Sequence, residues 1–425
     1  SEAVGGVVAI DGVDTDRDAF ALGNEAGSFG FRRASASGAL AGDKANLALG
    51  VGWQGARGIG AFDGSGDRDG YRNLSGRARG TWTVAPALRL GAAALALSGR
   101  SEFDGFDALG RRIDTLDSSR NRLTAGRVWG EFGDADDGWS GRLGGSLFAS
   151  RNRNFLDDEE IKRTWGRRAT LDAQVQHRFR TGGVEHRAIL AFDRESEEFH
   201  ARGRIATNQD RERKHHAVTV EWRADTGPLT ADLALRRDWF NRFKDATTVR
   251  ASVLAKLGRG FSLAASYGEG IAQPTFFDLF GFFPGSFVGN PSLKPERSRG
   301  FEASVRYAKG NVAASLTAYR QRLRDEIIDN ATFTSVVKAP NKSRRSGIEA
   351  EFSWQLDDTV RLRANYAYLR ATQPSDFGSR QEREARRPRH SGSVPADGQL
   401  GRLTYAASMT YTGDRMDTDF ESFPF

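Results

Sequence analysis

Acidic residues are concentrated in two polar stretches of this sequence, at 104–117 and 157–160, where they could bind a divalent cation. Calcium takes about six to eight oxygen ligands and accepts carboxylates from flexible loops. The candidate ligands are Asp104, Asp107, Asp114, Asp117, Asp157 and Asp158, followed by Glu159 and Glu160. Acidic loop residues are more often simply solvated. The pattern therefore leaves two hypotheses open, a calcium site and a set of solvated carboxylates.

A second candidate site is a group of phenylalanines in a segment where a soluble protein would place polar residues. The group comprises Phe276, Phe277, Phe280, Phe282, Phe283 and Phe287. An exposed apolar patch of this kind usually marks a contact surface. We predict either an apolar surface that contacts a ligand or packing of one loop against another.

The other side chains with catalytic potential form no recognisable constellation. His215 and His216 are adjacent, so on a strand they point to opposite faces and cannot share one metal ion. No Ser/His/Asp spacing and no glycine-rich phosphate loop is found in the sequence. The absence of cysteine excludes disulfides and thiolate metal sites. The sequence therefore predicts a protein that is not an enzyme.

The elements that would position these residues are predicted from a period-two alternation of apolar and polar side chains. The alternation recurs along the chain, for example at 47–54, 171–176, 218–223, 348–355 and 403–412. Runs near ten residues exceed the ordinary strand length of about five or six. They match strands that cross a bilayer at a tilt, and many end in an aromatic residue. We predict an all-β fold, a large antiparallel transmembrane β-barrel.

The connections between these strands alternate in length. Short turns such as 42–43 and 182–183 separate strand pairs, and long polar stretches such as 152–162, 200–214 and 273–294 lie between them. Short turns on one rim and long loops on the other are typical of an outer-membrane barrel. By this count about 18 or 19 strands are present.

Composition supports this interpretation and excludes two others. The 49 glycines and 28 phenylalanines, with only 2 methionines, suit many strands and tight turns. The net charge of +7 arises from scattered residues and no basic block is present, so we expect no nucleic-acid partner. No apolar run reaches the length of about 18 residues that a membrane-spanning helix requires.

The segment from 266 to 307 resembles the signature of TonB-dependent outer-membrane receptors. It contains the motif residues Gly289, Asn290, Pro291, Leu293, Pro295, Glu296 and Ser298. Glycine permits a tight turn and the prolines stiffen an extended segment, so the motif is predicted to be structural. Further similarity lies at 341–349 and 386–390, and the residues SEAVGGVVAI at the start resemble the last strand of the family's plug domain.

The resemblance implies a location in the outer membrane of a Gram-negative bacterium and a barrel of about 22 strands with a plugged lumen. It also implies that residues 1–12 end the plug, that 13–425 form the barrel, and that most of the plug and the last strands lie outside this chain. The implied partners are TonB, acting through the plug, the lipid of the outer membrane, and a bulky ligand. Active import of a scarce nutrient is the implied function.

Within the family, the segments 270–282 and 411–425 look most similar to cobalamin transporters, which as a class use calcium in their loops. Cobalamin is therefore the first expected ligand and a ferric siderophore the alternative. The phenylalanine group would form the floor for either. Three other interpretations are an outer-membrane barrel enzyme with His200 or His390 at its rim, a passive porin, and a soluble adhesin or repeat protein. The number of strands argues against the first, the plug-like start against the second, and the lack of a fixed-period repeat against the third.

Overall fold

A computed structural model of the chain describes residues 17–60, 67–105, 111, 113–134, 138–204, 208–281, 287–330, 332–374 and 381–417. The segment predicted to end a plug domain therefore lies outside the described residues, as do Asp107, Phe282 and Phe283. No helix among the described residues is long and apolar enough to cross a membrane.

The chain is built almost entirely from antiparallel strands. The first eleven are β1 Ala19–Ala26, β2 Arg32–Ala41, β3 Ala45–Ile59, β4 Asp69–Ala85, β5 Leu88–Phe103, β6 Asp117–Gly133, β7 Trp139–Leu156, β8 Glu159–Thr181, β9 Val184–Gly203, β10 Gln209–Asp225 and β11 Leu229–Phe240. The rest are β12 Ala246–Gly258, β13 Phe261–Ala272, β14 Glu296–Lys309, β15 Val312–Arg324, β16 Ile327–Asp329, β17 Val336–Lys338, β18 Ser343–Gln355, β19 Val360–Pro374, β20 Gln381–Arg383, β21 His390–Leu400 and β22 Leu403–Thr412. A 3-10 turn at Ser28–Gly30 and the short helix α1 at Phe276–Phe280 complete the elements.

The strands form one 20-stranded sheet in which neighbours along the chain pair antiparallel. The short β20 adds only three residues beside β19, and β16 and β17 form a separate hairpin. Within the described residues, β1 and β22 are the two edge strands. The all-β antiparallel architecture and the approximate number of strands confirm the prediction from alternation.

The sheet has an apolar face and a charged face, because side chains alternate along every strand. Leu49 and Val51 on β3 are 51% and 53% exposed, with only small side chains opposite them on β4. The other face carries cross-strand ion pairs, such as Arg127 to Asp172 at 2.9 Å. We call the apolar face outward and the charged face inward, as lipid and a wet lumen require.

The connections at one rim are tight turns, and those at the other rim include the long segments at 273–295, 325–342 and 375–389. Two predicted loops are wrong. The stretches 152–162 and 200–214 are mostly strand, with β7 and β8 joined by a tight turn at Asp157 and Asp158. Their charged residues pair across the ladder, so the strands continue past their apolar outward side chains toward the rim. Polar side chains lie on both faces of these strands, so the sequence shows no apolar alternation there and predicted loops.

Candidate functional site

The described residues of the loop that joins β13 to β14, 273–281 and 287–295, lie against the inward face of the wall at the long-loop rim. Gln209 Nε2 donates to the carbonyl oxygen of Gly281 at 2.6 Å, and Arg213 Nη1 donates to that of Pro274 at 2.9 Å. Gln209 and Arg213 are both inward residues of β10. The loop is therefore held inside the mouth of the barrel.

Helix α1 begins with a complete capping box. The Thr275 hydroxyl accepts from the backbone N–H of Asp278 at 3.1 Å, and Asp278 Oδ2 accepts from the backbone N–H of Thr275 at 2.7 Å. Leu279 is fully buried and packs with Leu293 and Val336, the latter in the β16–β17 hairpin. The helix thus joins two loops into one small apolar core above the lumen.

The motif residues surround this helix. A Cβ atom on Gly289 would lie 2.2 Å from the backbone nitrogen of Phe280, so only glycine fits the close approach. The Asn290 backbone N–H donates to the carbonyl oxygen of Asp278 at 2.7 Å, and Asn290 Nδ2 donates to that of Val336 at 3.0 Å. Gly289 and Asn290 therefore fasten the loop to both its helix and the neighbouring hairpin.

The second half of the motif leads the chain back to the wall. Pro291 and Pro295 flank Leu293, which is 3% exposed. Glu296 Oε1 accepts from the backbone N–H of Ile327 at 2.8 Å, and burial raises the pKa of Glu296 above its usual range. Ser298 is buried in β14.

The described members of the phenylalanine group take part in this packing. Phe276 stacks on Phe199 of the inward wall, with ring centroids 5.5 Å apart, and Phe277 stacks on Phe287 at 4.4 Å. Phe280 lies beneath the guanidinium of Arg211 at 4.0 Å. Phe277 nevertheless keeps 37% of its surface exposed. Packing between loops and an accessible aromatic surface coexist in the same cluster.

Two exposed arginines flank this cluster and were not predicted from the sequence. Arg211 on β10 and Arg242 in the β11–β12 connection both lie over the ring of Phe280, the second at 4.9 Å. A guanidinium group can stack its flat face on an aromatic ring while the N–H groups at its edge bind anionic oxygen atoms. The mouth therefore presents cationic and aromatic groups side by side.

An ion-pair network on the inward wall supports the loop from below. Arg213 Nε donates to Glu197 Oε2 at 2.6 Å, and Arg168 Nε donates to Glu197 Oε1 at 2.8 Å. Both side chains of the first pair are at most 10% exposed. Arg213 also donates to the carbonyl oxygen of Pro274, so this side chain connects the loop to the ion-pair network.

A second buried carboxylate lies two strands further along the sheet. Asp238 on β11 is fully buried, 2.8 Å from His215 Nε2 and 3.0 Å from Arg236 Nε. His216, by contrast, lies on the outward face and stacks on Trp239 at 5.3 Å. The two histidines occupy opposite faces, as the sequence predicted.

The acidic stretches meet at the rim, although in a different set from the predicted one. Carboxylate oxygens of Asp67, Asp104 and Asp114 all lie within 4.8 Å of one another. Asp67, which precedes β4, was not predicted. Asp117 and Asp157 are outside this group and contact each other, with Asp117 Oδ1 accepting from the backbone N–H of Asp157 at 3.4 Å.

The environment of this cluster suits a hard cation. Asp104 is 8% exposed, and its Oδ2 atom has no hydrogen-bond partner among the described residues. Its Oδ1 atom accepts from the backbone N–H of Thr115 at 3.1 Å. Asp158 turns away and lies 3.7 Å from Arg100 Nη2. Asp67, Asp104 and Asp114 are thus the residues whose oxygens could hold calcium.

Comparison with known proteins agrees with this architecture. The family described as TonB dependent receptor-like, β-barrel matches residues 16–424. The chain belongs to this family. Its members are receptors and transporters, and this barrel is one of that kind.

Solved TonB-dependent receptors share the fold at low sequence identity. The siderophore receptor PiuA from Acinetobacter baumannii is 14% identical with a TM-score of 0.72, over 94% of this chain and 72% of that one. The siderophore receptor PirA from Pseudomonas aeruginosa is 14% identical with a TM-score of 0.69, over 94% of this chain and 78% of that one. The ferric-catecholate import receptor Fiu from E. coli is 13% identical with a TM-score of 0.70, over 94% of this chain and 71% of that one. At these identities the similarity establishes the fold alone.

Proposed function

We propose that this barrel belongs to an active outer-membrane transporter that imports a bulky ferric siderophore. In the full-length protein, a plug would close the lumen, and TonB would move that plug with energy from the proton-motive force. The loops at the long-loop rim would capture the ligand first. The outer membrane of a Gram-negative bacterium is the location that the family implies.

The observation that carries the ligand class is the pairing of exposed Arg211 and Arg242 with Phe280 inside the mouth. Ferric siderophores present anionic oxygen atoms, and those of the catecholate class add aromatic rings. Guanidinium groups beside an aromatic surface complement both features. The three structures compared above are siderophore receptors, and none of them supports the cobalamin specificity expected from the sequence. The siderophore is therefore the preferred ligand.

Binding to outer membranes that carry the full-length protein tests this proposal. Ferric catecholate and ferric hydroxamate siderophores are titrated with cyanocobalamin as competitor. We expect a siderophore to bind, cobalamin not to compete, and a TonB-deficient host to keep binding while losing uptake. Tight cobalamin binding without competition from siderophores would contradict the ligand class but leave the transporter function standing.

The double variant Arg211→Gln/Arg242→Gln localises the site. Each charge-assisted hydrogen bond contributes about 1.5 to 3 kcal/mol, so we expect siderophore affinity to fall by at least about tenfold. The control is Arg180→Gln, which removes an inward arginine at the short-turn rim whose side chain is 73% exposed. Equal affinity in both variants would show that the mouth cluster does not hold the ligand.

We also propose that the cluster of Asp67, Asp104 and Asp114 binds calcium and so orders the rim. A ligand that binds only the folded state stabilises it by about 2.7 kcal/mol at about 100 times its Kd. Calcium is expected to raise the melting temperature of the protein, and Asp104→Asn to abolish that rise. Asp158→Asn is the matched control, since Asp158 contacts Arg100 instead. Calcium stabilisation that persists in the Asp104 variant would refute the site.

The pH dependence of stability gives a second readout. A hydrogen bond with Asp114, burial, and the charges of Asp114, Asp69 and Asp104 raise the pKa of Asp67 above its usual value of 3.8. A raised pKa in the folded state stabilises the fold at low pH, and this contribution is lost as pH rises through the raised value. With a chelator present, we expect the free energy of unfolding to fall as pH rises through the raised pKa of Asp67. Added calcium is expected to restore it only at the higher pH values, where protons no longer compete with calcium for the carboxylates.

A further inference from the structure

The outward face of the barrel carries an apolar zone on neighbouring strands. On β5 the outward residues from Leu88 to Ala96 are all apolar, and on β4 those from Leu74 to Trp82 are apolar as well. Each stretch has the length of about nine residues that a tilted strand needs to cross the hydrocarbon core. The zone therefore marks where the acyl chains of the lipid would lie.

Arginine is the first charged outward residue beyond this zone on many strands, always toward the long-loop rim. On one side of the barrel the residues are Arg72 on β4, Arg100 on β5, Arg122 on β6, Arg151 on β7, Arg167 on β8 and Arg194 on β9. On the other side they are Arg299 on β14, Arg320 on β15, Arg344 on β18 and Arg370 on β19. We call these ten positions the arginine belt.

The short-turn rim is different. There the outward positions at the edge of the apolar zone are occupied by aromatic side chains, including Trp82, Phe132, Phe179 and Trp222, which are 54%, 47%, 40% and 43% exposed. Aromatic residues suit either interface of a bilayer. The cationic belt is thus specific to one leaflet, and the long loops place that leaflet outside the cell.

The belt brings like charges together across the sheet. Arg72 lies directly opposite Arg100, and Arg122 directly opposite Arg151. Beside Arg100, Arg120 continues the same row and faces Arg153. Like charges placed directly opposite each other destabilise a sheet. An anion between the guanidinium groups would offset this repulsion.

The protein itself supplies only part of that negative charge. Arg100 lies 3.2 Å from Glu102 and Arg299 lies 2.9 Å from Glu269. Arg72, Arg122 and Arg151 are exposed and have no salt bridge within the described part of the chain. A cavity of about 420 Å³ opens outward between these strands, with Trp53 and Leu74 at its apolar edge. Its cationic lining is formed by Arg72, Arg100, Arg120, Arg122, Arg151 and Arg153.

We propose that the arginine belt binds the phosphate groups of lipid A, the multiply phosphorylated lipid of the outer leaflet. Its phosphates would lie at the height of the guanidinium groups, which bind phosphate oxygens in a bidentate manner. Its acyl chains would lie along the apolar zone directly below. This inference rests on the outer-membrane location in the proposed function, but it is independent of the transported ligand.

The test measures binding of fluorescent diphosphoryl lipid A to purified full-length protein in neutral detergent. Each arginine near a charged lipid surface contributes about fivefold in affinity, so Arg72→Gln/Arg122→Gln/Arg151→Gln is expected to bind about a hundredfold more weakly. The matched control is Arg77→Gln/Arg306→Gln, which removes inward arginines of β4 and β14 and is expected to bind normally. Unchanged migration of unheated samples in gel electrophoresis confirms that each variant is folded.

Three comparisons decide the outcome. Lipid A stripped of its phosphates is expected to bind at least tenfold more weakly than the diphosphoryl form, and inorganic phosphate is expected to compete only weakly. Equal binding of both lipids, or an equal loss in outward and inward variants, would overturn the proposal. Displacement by inorganic phosphate at the same concentration as lipid A would assign the belt to free anions and overturn it too. Failure of the protein to insert into membranes would instead contradict the proposed function.

Discussion

Replacing Arg213 with methionine is expected to lower the free energy of unfolding by about 3 kcal/mol or more, the largest effect of any single substitution considered for this barrel. Removing one partner of a buried pair costs about 3 to 5 kcal/mol because it leaves the other charge uncompensated. Glu197 keeps only its contact with Arg168, at 2.8 Å. The carbonyl of Pro274 also loses its donor. Urea unfolding from lipid vesicles, followed by tryptophan fluorescence, measures the change.

Two control variants show whether the loss of stability comes from breaking the buried pair and not simply from removing an arginine. Arg180→Met removes an exposed arginine that lies 3.8 Å from Glu185, and exposed pairs contribute at most about 1 kcal/mol. The double variant Arg213→Met/Glu197→Met removes both charges and is expected to recover part of the stability. A loss below about 1 kcal/mol in the single variant would show that Arg168 alone satisfies Glu197.

The barrel wall could be predicted from the sequence because lipid on one side and water on the other impose a strict period of two. The same argument explains where the prediction failed. Above the apolar zone both faces of β8 and β9 carry polar and charged side chains, so the alternation disappears while the ladder continues. There the strands are stabilised by cross-strand pairs such as Arg202 with Asp210, 2.8 Å apart. Nothing in a local pattern of charges distinguishes such a strand from a loop.

The candidate site was only partly predictable for a different reason. Asp104 and Asp114 belong to one connection and could be grouped by proximity in sequence, whereas Asp67 joins them from another connection through the packing of β4 beside β5. Arg211 and Arg242 were missed in the same way. Their common partner, Phe280, was identified in the sequence, but the inward fold of its loop depends on hydrogen bonds from Gln209 and from Arg213.

The outward arginines of the arginine belt, in contrast, can be recognised in the sequence itself. On β4 and β7 the outward alternation is apolar up to Arg72 and Arg151, and on β6 only Thr124 lies between the apolar outward residues and Arg122. Registering adjacent strands then shows that these side chains stand beside one another. Register is set by turn geometry and by the apolar pattern together, so the juxtaposition becomes visible only once the pairing is known.

Gly289→Ala is expected to release the mouth loop and to reduce siderophore affinity by about tenfold or more, without unfolding the barrel. The added Cβ atom would lie 2.2 Å from the backbone nitrogen of Phe280 and 2.4 Å from that of Gly281. Both are backbone atoms, so the loop itself must shift. Overpacking of this kind costs about 1 to 3 kcal/mol, which is comparable with the few hydrogen bonds that hold the loop.

Hydrogen exchange of residues 276–281 and 287–293 measures the release directly, and ligand titration measures its consequence. Gly300→Ala is the matched control, since a Cβ atom there meets no heavy atom within 4 Å. Faster exchange with normal affinity would mean that the loop does not contribute to binding, and normal exchange would refute its anchoring by Gly289. Because urea unfolding should stay unchanged here but not in the Arg213 variant, the two substitutions separate anchoring of the loop from stability of the wall.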